Sequence, residues 1–279
     1  MTTIFKARIA KPSDYKKIVR LCKRAVGPHD YVLSSLSDTI ARKGLFLAFS
    51  GKELVGMSNF SLTLDNAGWL GMARTDPNWR RKGVAVFLQK TKSRYARKLG
   101  ISKLRLFVLS TNTPSLRACI KGGFHPVAES AHLSLRLRGS HTKEFSFRKT
   151  TDMKSLDGLR SRYVSKLNGY VGYKWNFLKL DKSVLSKLIA SGELYECGGV
   201  KFILSEKIEH EEGAHREFSL LEGSFEKGIA SVISVARKLR TDSLGTFIPY
   251  EHYLISIARS LGFKDDSWGW HCIALEKKI

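Results

Sequence analysis

The sequence predicts an α/β fold arranged as two tandem domains, and three observations point there. Hydrophobic spacing across residues 1–139 switches repeatedly between the two-residue period of strands and the helical period of about 3.6. One switch passes through a basic, glycine-bearing loop, Asp76-Pro77-Asn78-Trp79-Arg80-Arg81-Lys82-Gly83-Val84-Ala85, which joins an apolar strand to an amphipathic helix. Short motifs of residues 1–139 then return, weakly, some 140 positions later. At 279 residues the chain is long enough for two domains of ordinary size, each burying its own core.

The elements follow in order. Phe5 to Ile9 alternates like an opening strand, and Ser13 can cap a helix with apolar positions Ile18, Val19, Leu21, Cys22 and Val26. A second helix through Leu33, Leu36 and Ile40 ends at Gly44. Leu45 to Phe49 and Leu54 to Leu64 read as strands around the turn Ser50-Gly51-Lys52, and Asp65-Asn66-Ala67-Gly68 turns the chain into the strand Trp69 to Arg74. The long helix that follows the basic loop has Val84, Phe87, Leu88, Tyr95 and Leu99 as its inner stripe. Lys90, Lys92, Arg94, Arg97 and Lys98 are assigned to its outer face, and Gly100 ends it. Leu104 to Leu109 is a strand, Pro114 to Lys121 a short helix stopped at Gly122-Gly123-Phe124, and Leu133 to Leu137 a closing strand.

The loop before Val84 has the chemistry of a phosphate cradle. Glycine opens backbone angles closed to other residues and lets an anion approach the amides that begin the helix. The helix dipole and three successive cations, Arg80, Arg81 and Lys82, add to the attraction.

The loop and its surroundings resemble the GNAT N-acyltransferase superfamily. Its coenzyme A loop has Arg or Gln, two residues, Gly, one residue, then Gly or Ala, and Arg80, Gly83 and Ala85 fill those positions. Asn112-Thr113-Pro114-Ser115 with Gly122-Gly123-Phe124 looks like the second GNAT signature, and the element order is similar to the complete fold. The resemblance implies a mixed, mostly antiparallel sheet flanked by helices. It also implies acetyl-CoA as co-substrate, with pyrophosphate on the amides of Arg81, Lys82, Gly83, Val84 and Ala85 and the loop shaped by Arg80. The strand end Ala73-Arg74-Thr75 is implied to bond the pantetheine arm and thioester carbonyl, and Asn112 to contact the cofactor arm.

Two catalytic positions depart from the family. Seven residues after Asn112, where many GNAT enzymes carry a tyrosine that protonates the leaving thiolate, stands Cys119, an acid candidate that also reads as core. No glutamate lies in Trp69 to Arg74. Asp30, in the loop between the first two helices, is the candidate base, with Asp65 as a second choice and each also readable as a turn residue. His29-Asp30-Tyr31 hints at the acceptor pocket.

The domains are expected at residues 1–139 and 140–279, joined by Gly139-Ser140-His141-Thr142-Lys143. Phe147-Arg148 before Asp152 echoes Ala7-Arg8 before Asp14, and Leu261-Gly262-Phe263 echoes Gly122-Gly123-Phe124. The second cradle has two registers, one matching Lys227-Gly228-Ile229-Ala230 to Lys82-Gly83-Val84-Ala85, the other placing Gly223 opposite Gly83. Either sets an apolar residue opposite Arg80 and brings Glu222 or Glu226 to the phosphate position, where a carboxylate is repulsive. The second domain is therefore read as degenerate and without cofactor.

The formal charge is +23, with 26 Lys and Arg against 7 Asp and Glu in residues 1–139 and 22 against 18 in residues 140–279. A polyanionic cofactor accounts for part of this excess; a basic solvated surface is favoured over nucleic acid, ribosome or acidic partner for the rest. Cys22, Cys119, Cys197 and Cys272 lack paired spacing, which argues against disulfide and zinc frameworks, and no metal is expected. No stretch reaches the ~18 apolar residues of a membrane span. The expectation is a cytoplasmic, acetyl-CoA-dependent N-acetyltransferase acting on a small-molecule or protein amine, as monomer or homodimer. The alternative is an inactive GNAT-fold module or acyl-CoA sensor acting on RNA, a ribosome or a protein.

Overall fold

Alternating burial along Phe5–Ile9 makes strand β1. In the computed structural model, which describes residues 5–137, 146–151, 162–210, 213–265 and 270–279, the chain divides into two compact units. One comprises Met1–Leu106, Thr113–His125 and Glu276–Ile279, the other Phe107–Asn112 and Pro126–Leu275. Neither is continuous in sequence. The expected linker 139–143 lies outside the described residues.

From β1 the chain runs through helices α1 (Tyr15–Ala25) and α2 (Leu36–Ala41), strands β2 (Leu45–Ser50), β3 (Glu53–Leu62) and β4 (Gly68–Thr75), helix α3 (Val84–Lys98), strand β5 (Lys103–Leu109), helix α4 (Thr113–Lys121) and strand β6 (His125–Arg136). In the first unit β1, β2, β3 and β4 pair antiparallel in that order. The parallel partner of β4 is β5, through Gly68–Leu104 and Trp69–Arg105. Ile18, Leu21, Leu36, Ile40, Leu45, Leu47 and Met57 form one core beneath α1 and α2. On α3, Val84 and Leu88 are buried, and Tyr95 sits edge-on between Phe46 and Phe60 with centroids 5.1 and 5.4 Å away.

Three local expectations are corrected. Ser13 does not cap α1; it lies in a 3-10 turn, and Asp14 takes the cap position with its carboxylate held by Arg8 at 2.6–2.7 Å and the Lys11 amide at 2.8 Å. Lys92 is not on the outer face of α3. It is 2 % exposed, because it stands eight residues after Val84 and four after Leu88, on the stripe that faces the sheet. Leu99, placed on the inner stripe, is 48 % exposed at the helix end.

The second unit continues with β7 (Phe147–Lys149), α5 (Arg162–Lys166), the hairpin β8 (Tyr170–Tyr173) and β9 (Asn176–Lys179), and α6 (Lys182–Ala190). Then come β10 (Leu194–Cys197), β11 (Val200–Leu204), β12 (Ile208–His210), β13 (Gly213–Glu222), α7 (Phe225–Lys238), β14 (Ser243–Pro249), α8 (His252–Ser260), β15 (Lys264–Asp265) and β16 (His271–Lys278). Its sheet repeats the first: β7, β10, β11 and β13 pair antiparallel, and β13 pairs parallel with β14. The stops of α4 and α8 match bond for bond, since Phe124 N donates to Cys119 O and Phe263 N to Ala258 O, both at 3.1 Å.

The structure decides between the two cradle registers. Gly228 is inside α7, packed so closely that a Cβ would come within 2.9 Å of Leu220, whereas Gly223 directly precedes the N-cap Ser224. Eight residues (76–83) separate β4 from α3, but only two (223–224) separate β13 from α7. The second copy has lost the loop itself, a deeper change than a misplaced carboxylate, and Glu222 pairs with Lys201 at 2.8 Å.

Candidate active site

β4 is prepared for function by two irregularities. Met57 aligns with Arg74 and Asn59 with Gly71, so Ser58 alone opposes both Met72 and Ala73. That is a β-bulge, with Met72 in the left-handed region at φ 52°. The parallel register with β5 runs only through Trp69–Arg105, so the strand beyond it has backbone groups to offer a ligand.

Past Thr75 the chain enters a 3-10 turn, Pro77–Trp79, capped by Asp76, which accepts from the Asn78 amide at 3.0 Å. The end of α1 clamps this turn. Arg24 pairs with Asp76 at 2.7 Å, and Arg80 donates to the Ala25 carbonyl at 2.9 Å. Arg81 (φ 61°) and Gly83 (φ 87°) then alternate with ordinary residues, curling the exposed loop into α3. At Gly83 a Cβ would meet nothing within 4 Å, so backbone conformation and open access, not crowding, call for glycine. Among the described residues, the amides of Lys82, Gly83, Val84, Ala85 and Val86 donate to no protein group. Five free donors at a helix N-terminus with Arg81 and Lys82 exposed beside them suit a polyphosphate. Lys82 also lies 4.9 Å from the Trp79 ring centroid.

The Acetyltransferase (GNAT) family model matches residues 15–124, the span that holds the bulged strand and this loop. Those residues belong to the GNAT acetyltransferase family. Solved structures share the fold of nearly the whole chain. One from Thermoplasma acidophilum, described as an acetyltransferase by inference, has a TM-score of 0.62 at 16 % identity, covering 99 % of this chain and 100 % of its own. A GCN5-related N-acetyltransferase from Sphaerobacter thermophilus gives 0.60 at 14 %, covering 98 % and 95 %. Another from Anabaena variabilis gives 0.53 at 10 %, covering 98 % and 72 %. No curated protein matches the sequence.

Within the GNAT domain, Arg74 at the end of β4 points to Asp30, whose two oxygens accept from its Nε at 2.7 Å and Nη2 at 2.5 Å. Burial alone would raise the Asp30 carboxyl, but Arg74 and the Val32 amide hold it below the usual range. The Arg74 guanidinium in turn lies 5.1 Å from the ring centroid of the exposed Tyr31. His29 is exposed, so the His29-Asp30-Tyr31 loop adjoins the strand end through Asp30 and Tyr31. Asp65 is at the other end of β4, held by the buried Arg105 at 2.9 Å and by the Thr63 hydroxyl at 2.6 Å.

Asn112 stands one residue before α4, its amide donating to the Leu109 carbonyl at 2.9 Å, and it closes the Phe107–Asn112 segment of the second unit. Cys119 of the GNAT domain is 4 % exposed and accepts from Gln89 Nε2 at 3.7 Å; burial pushes its thiol up. Its counterpart in the repeat, Ala258, is fully buried. The polar group that residue-type reasoning missed is Lys92, although the 84, 88, 92 spacing was a signal for it.

Proposed function

We propose that the chain is a coenzyme-A-dependent N-acyltransferase that moves an acetyl group from acetyl-CoA to a primary amine by direct attack of the amine on the thioester. The single observation that carries this reading is the row of free amides from Lys82 to Val86, set in a loop that its partners Arg24 and Arg80 hold open. Residues and ligand fit: donors, positive dipole and cations meet pyrophosphate oxygens, and Gly83 leaves the approach clear. Acetyl-CoA held there supplies an acetyl group already activated as a thioester.

In this reading the amides of Arg81, Lys82, Gly83, Val84 and Ala85 hold the pyrophosphate, and Arg80 keeps the loop docked on α1. Ala73, Arg74 and Thr75 present the strand end to the pantetheine arm, and Asn112 contacts that arm. Asp30 acts as a positioning residue that keeps Arg74 in place, since a carboxylate with a lowered pKa is a weak base near neutrality. Cys119 serves the core, and water takes the proton that the amine nitrogen loses and supplies one to the leaving coenzyme A thiolate. Acceptors are small-molecule or protein amines. Four buried cysteines, none of them in a disulfide, fit a reducing cytoplasm, and among the described residues no helix is long and apolar enough to cross a membrane.

Calorimetric titration of the intact protein with acetyl-CoA tests the reading, alongside thiol release against a panel of amines. Binding that Gly83→Asp weakens by more than about tenfold is expected, because the new carboxylate faces the phosphates. Absence of binding at millimolar ligand, or indifference to Gly83→Asp, overturns it. A noncatalytic binding or sensor role gains from the burial of both Asp30 and Cys119; salt-sensitive RNA binding without thiol release is its signature.

A further inference from the structure

Lys92 carries a charge-bearing group into the interior of the GNAT domain. It sits on the α3 stripe that begins with Val84 at the cradle, and its ammonium nitrogen donates to Ser58 Oγ on β3, with the Asn59 carbonyl 3.4 Å away. Among the described residues no carboxylate pairs with it. Ser58 is the residue that alone opposes the two-residue bulge of β4, and its hydroxyl donates to the Gly71 carbonyl at 3.1 Å, next to Met72 with its positive φ. Lys92, Ser58 and Gly71 thus form a relay from the helix that the phosphate loop opens to the bend in the strand beside it.

A leucine at position 92 would continue the stripe at far lower desolvation cost. Lysine adds direction. A hydroxyl has one proton, and an ammonium that can only donate leaves Ser58 no choice but to give that proton to Gly71. A neutral amine has a lone pair and competes for it. Burial lowers the Lys92 pKa to about 7, so both forms occur near neutrality. The titratable group facing it from α4 is Cys119; from β3 it meets only the Ser58 hydroxyl and Asn59 carbonyl, and one turn earlier on α3 lies Gln89.

We propose that Lys92 is a positioning residue for acyl transfer, acting through Ser58 to fix the Gly71–Met72 bulge that sets the path of the substrate-facing strand. The role in turnover rests on the N-acyltransferase reading; the hold on the bulge does not. Substrates displaced by about 1 Å lose as much as ~10²-fold in rate, so loosening the bulge should appear in kcat more than in cofactor affinity.

The test compares the intact protein with Lys92→Met, Lys92→Arg, Ser58→Ala and the Lys92→Met/Ser58→Ala pair. Amide NMR shifts of Gly71, Met72 and Ala73 in cofactor-free protein are followed from about pH 6 to 8.5, together with kcat and acetyl-CoA Kd. Expected is a titration step in those amides that Lys92→Met abolishes. Lys92→Met and Ser58→Ala should each lower kcat about tenfold with Kd within about threefold, and the pair should do no more than either, as members of one relay. Lys92→Arg, a permanent donor, should keep more kcat than Lys92→Met while losing the step. Amides of Gly71–Ala73 that ignore pH, or kcat effects that add in the pair, overturn the proposal. A titrating bulge in a protein that neither binds nor turns over acetyl-CoA leaves the relay standing and sinks the functional reading instead.

Discussion

Arg105 and Glu276, 171 positions apart, form an ion pair of 2.7 Å in the interior of the unit that carries the GNAT domain. The Arg105 side chain has no exposure, and its other carboxylate is Asp65 at 2.9 Å. Two neighbours of Glu276 add ties to the same unit, since Lys277 donates to the Gly122 carbonyl at 2.6 Å and Ile279 N to the Ser102 carbonyl at 2.9 Å. Residues 276–279 thus complete the packing of the unit that holds the domain.

Glu276→Gln removes the charge and leaves Arg105 its contact with Asp65. Breaking a buried pair from one side costs about 3 kcal/mol, which for a chain of 279 residues lowers Tm by roughly 5 °C. Differential scanning calorimetry measures it. A Tm unchanged within error would mean that Asp65 and solvent satisfy Arg105 without Glu276.

The pair also marks where sequence reading stops. Periodicity placed the helices and strands of residues 5–121 to within a few positions, because amphipathic spacing is local, but it began the closing strand at Leu133, where β6 starts at His125. The loop Arg80–Gly83 was legible for the same reason: its cations, glycine and helix start are adjacent. Lys92 was misplaced because residue type outweighed spacing, and the spacing was right. Near 140 residues of separation the repeat drifts by several positions, so only the structure could show that β13 meets α7 with the loop missing. A pair such as Arg105–Glu276 leaves no trace in any window of sequence.

Lys92 should make stability depend on pH. Its folded pKa of about 7 lies below the ~10.4 of an unfolded lysine, so between these values the unfolded chain holds the extra proton and stability rises with pH. Lys92→Met removes the ionisation in a volume-conserving way. The variant should be the more stable form below pH 7, with the gap narrowing by about 1 kcal/mol from about pH 7 to 8. Urea unfolding of both proteins checks this, and taking the difference cancels Cys22 and Cys119, whose raised pKa values act with the opposite sign. A gap constant across that range would contradict a neutralised lysine.

Asp30 should show the acid counterpart. Its pKa is held low, so its stabilising contact with Arg74 is complete above the ordinary carboxylate range near ~4 and disappears as pH falls through the folded value. Asp30→Asn should cost about 1.5–3 kcal/mol at neutral pH, the range for a charged hydrogen bond, and progressively less below about pH 4. If Asp30 were the proton acceptor for the amine, the same variant would lower kcat by about 10² or more; as a positioning residue for Arg74 it should cost nearer tenfold. Chemical denaturation and steady-state rates on one preparation separate the two.

Cys119 poses the last choice, between acid and packing residue. A leaving thiolate needs a proton from a group that reaches it and gives the proton up readily. Cys119 is 4 % exposed, engaged by Gln89 at 3.7 Å, and made a weaker acid by burial. The repeat carries an alanine there, Ala258, whose carbonyl takes the same helix-stop bond from Phe263 that Cys119 takes from Phe124. What the two positions share is the stop of a helix and a small buried side chain, which a sulfhydryl and a methyl both supply. Cys119→Ala should therefore keep kcat within about threefold and lose about 1 kcal/mol of stability through the small void left behind. A proton donor removed from the transition state would instead lower the rate by 10² to 10⁴, roughly. Thiol-release rates of the two proteins at saturating acetyl-CoA decide it, since a hundredfold loss with an unchanged Tm would make the sulfhydryl chemical.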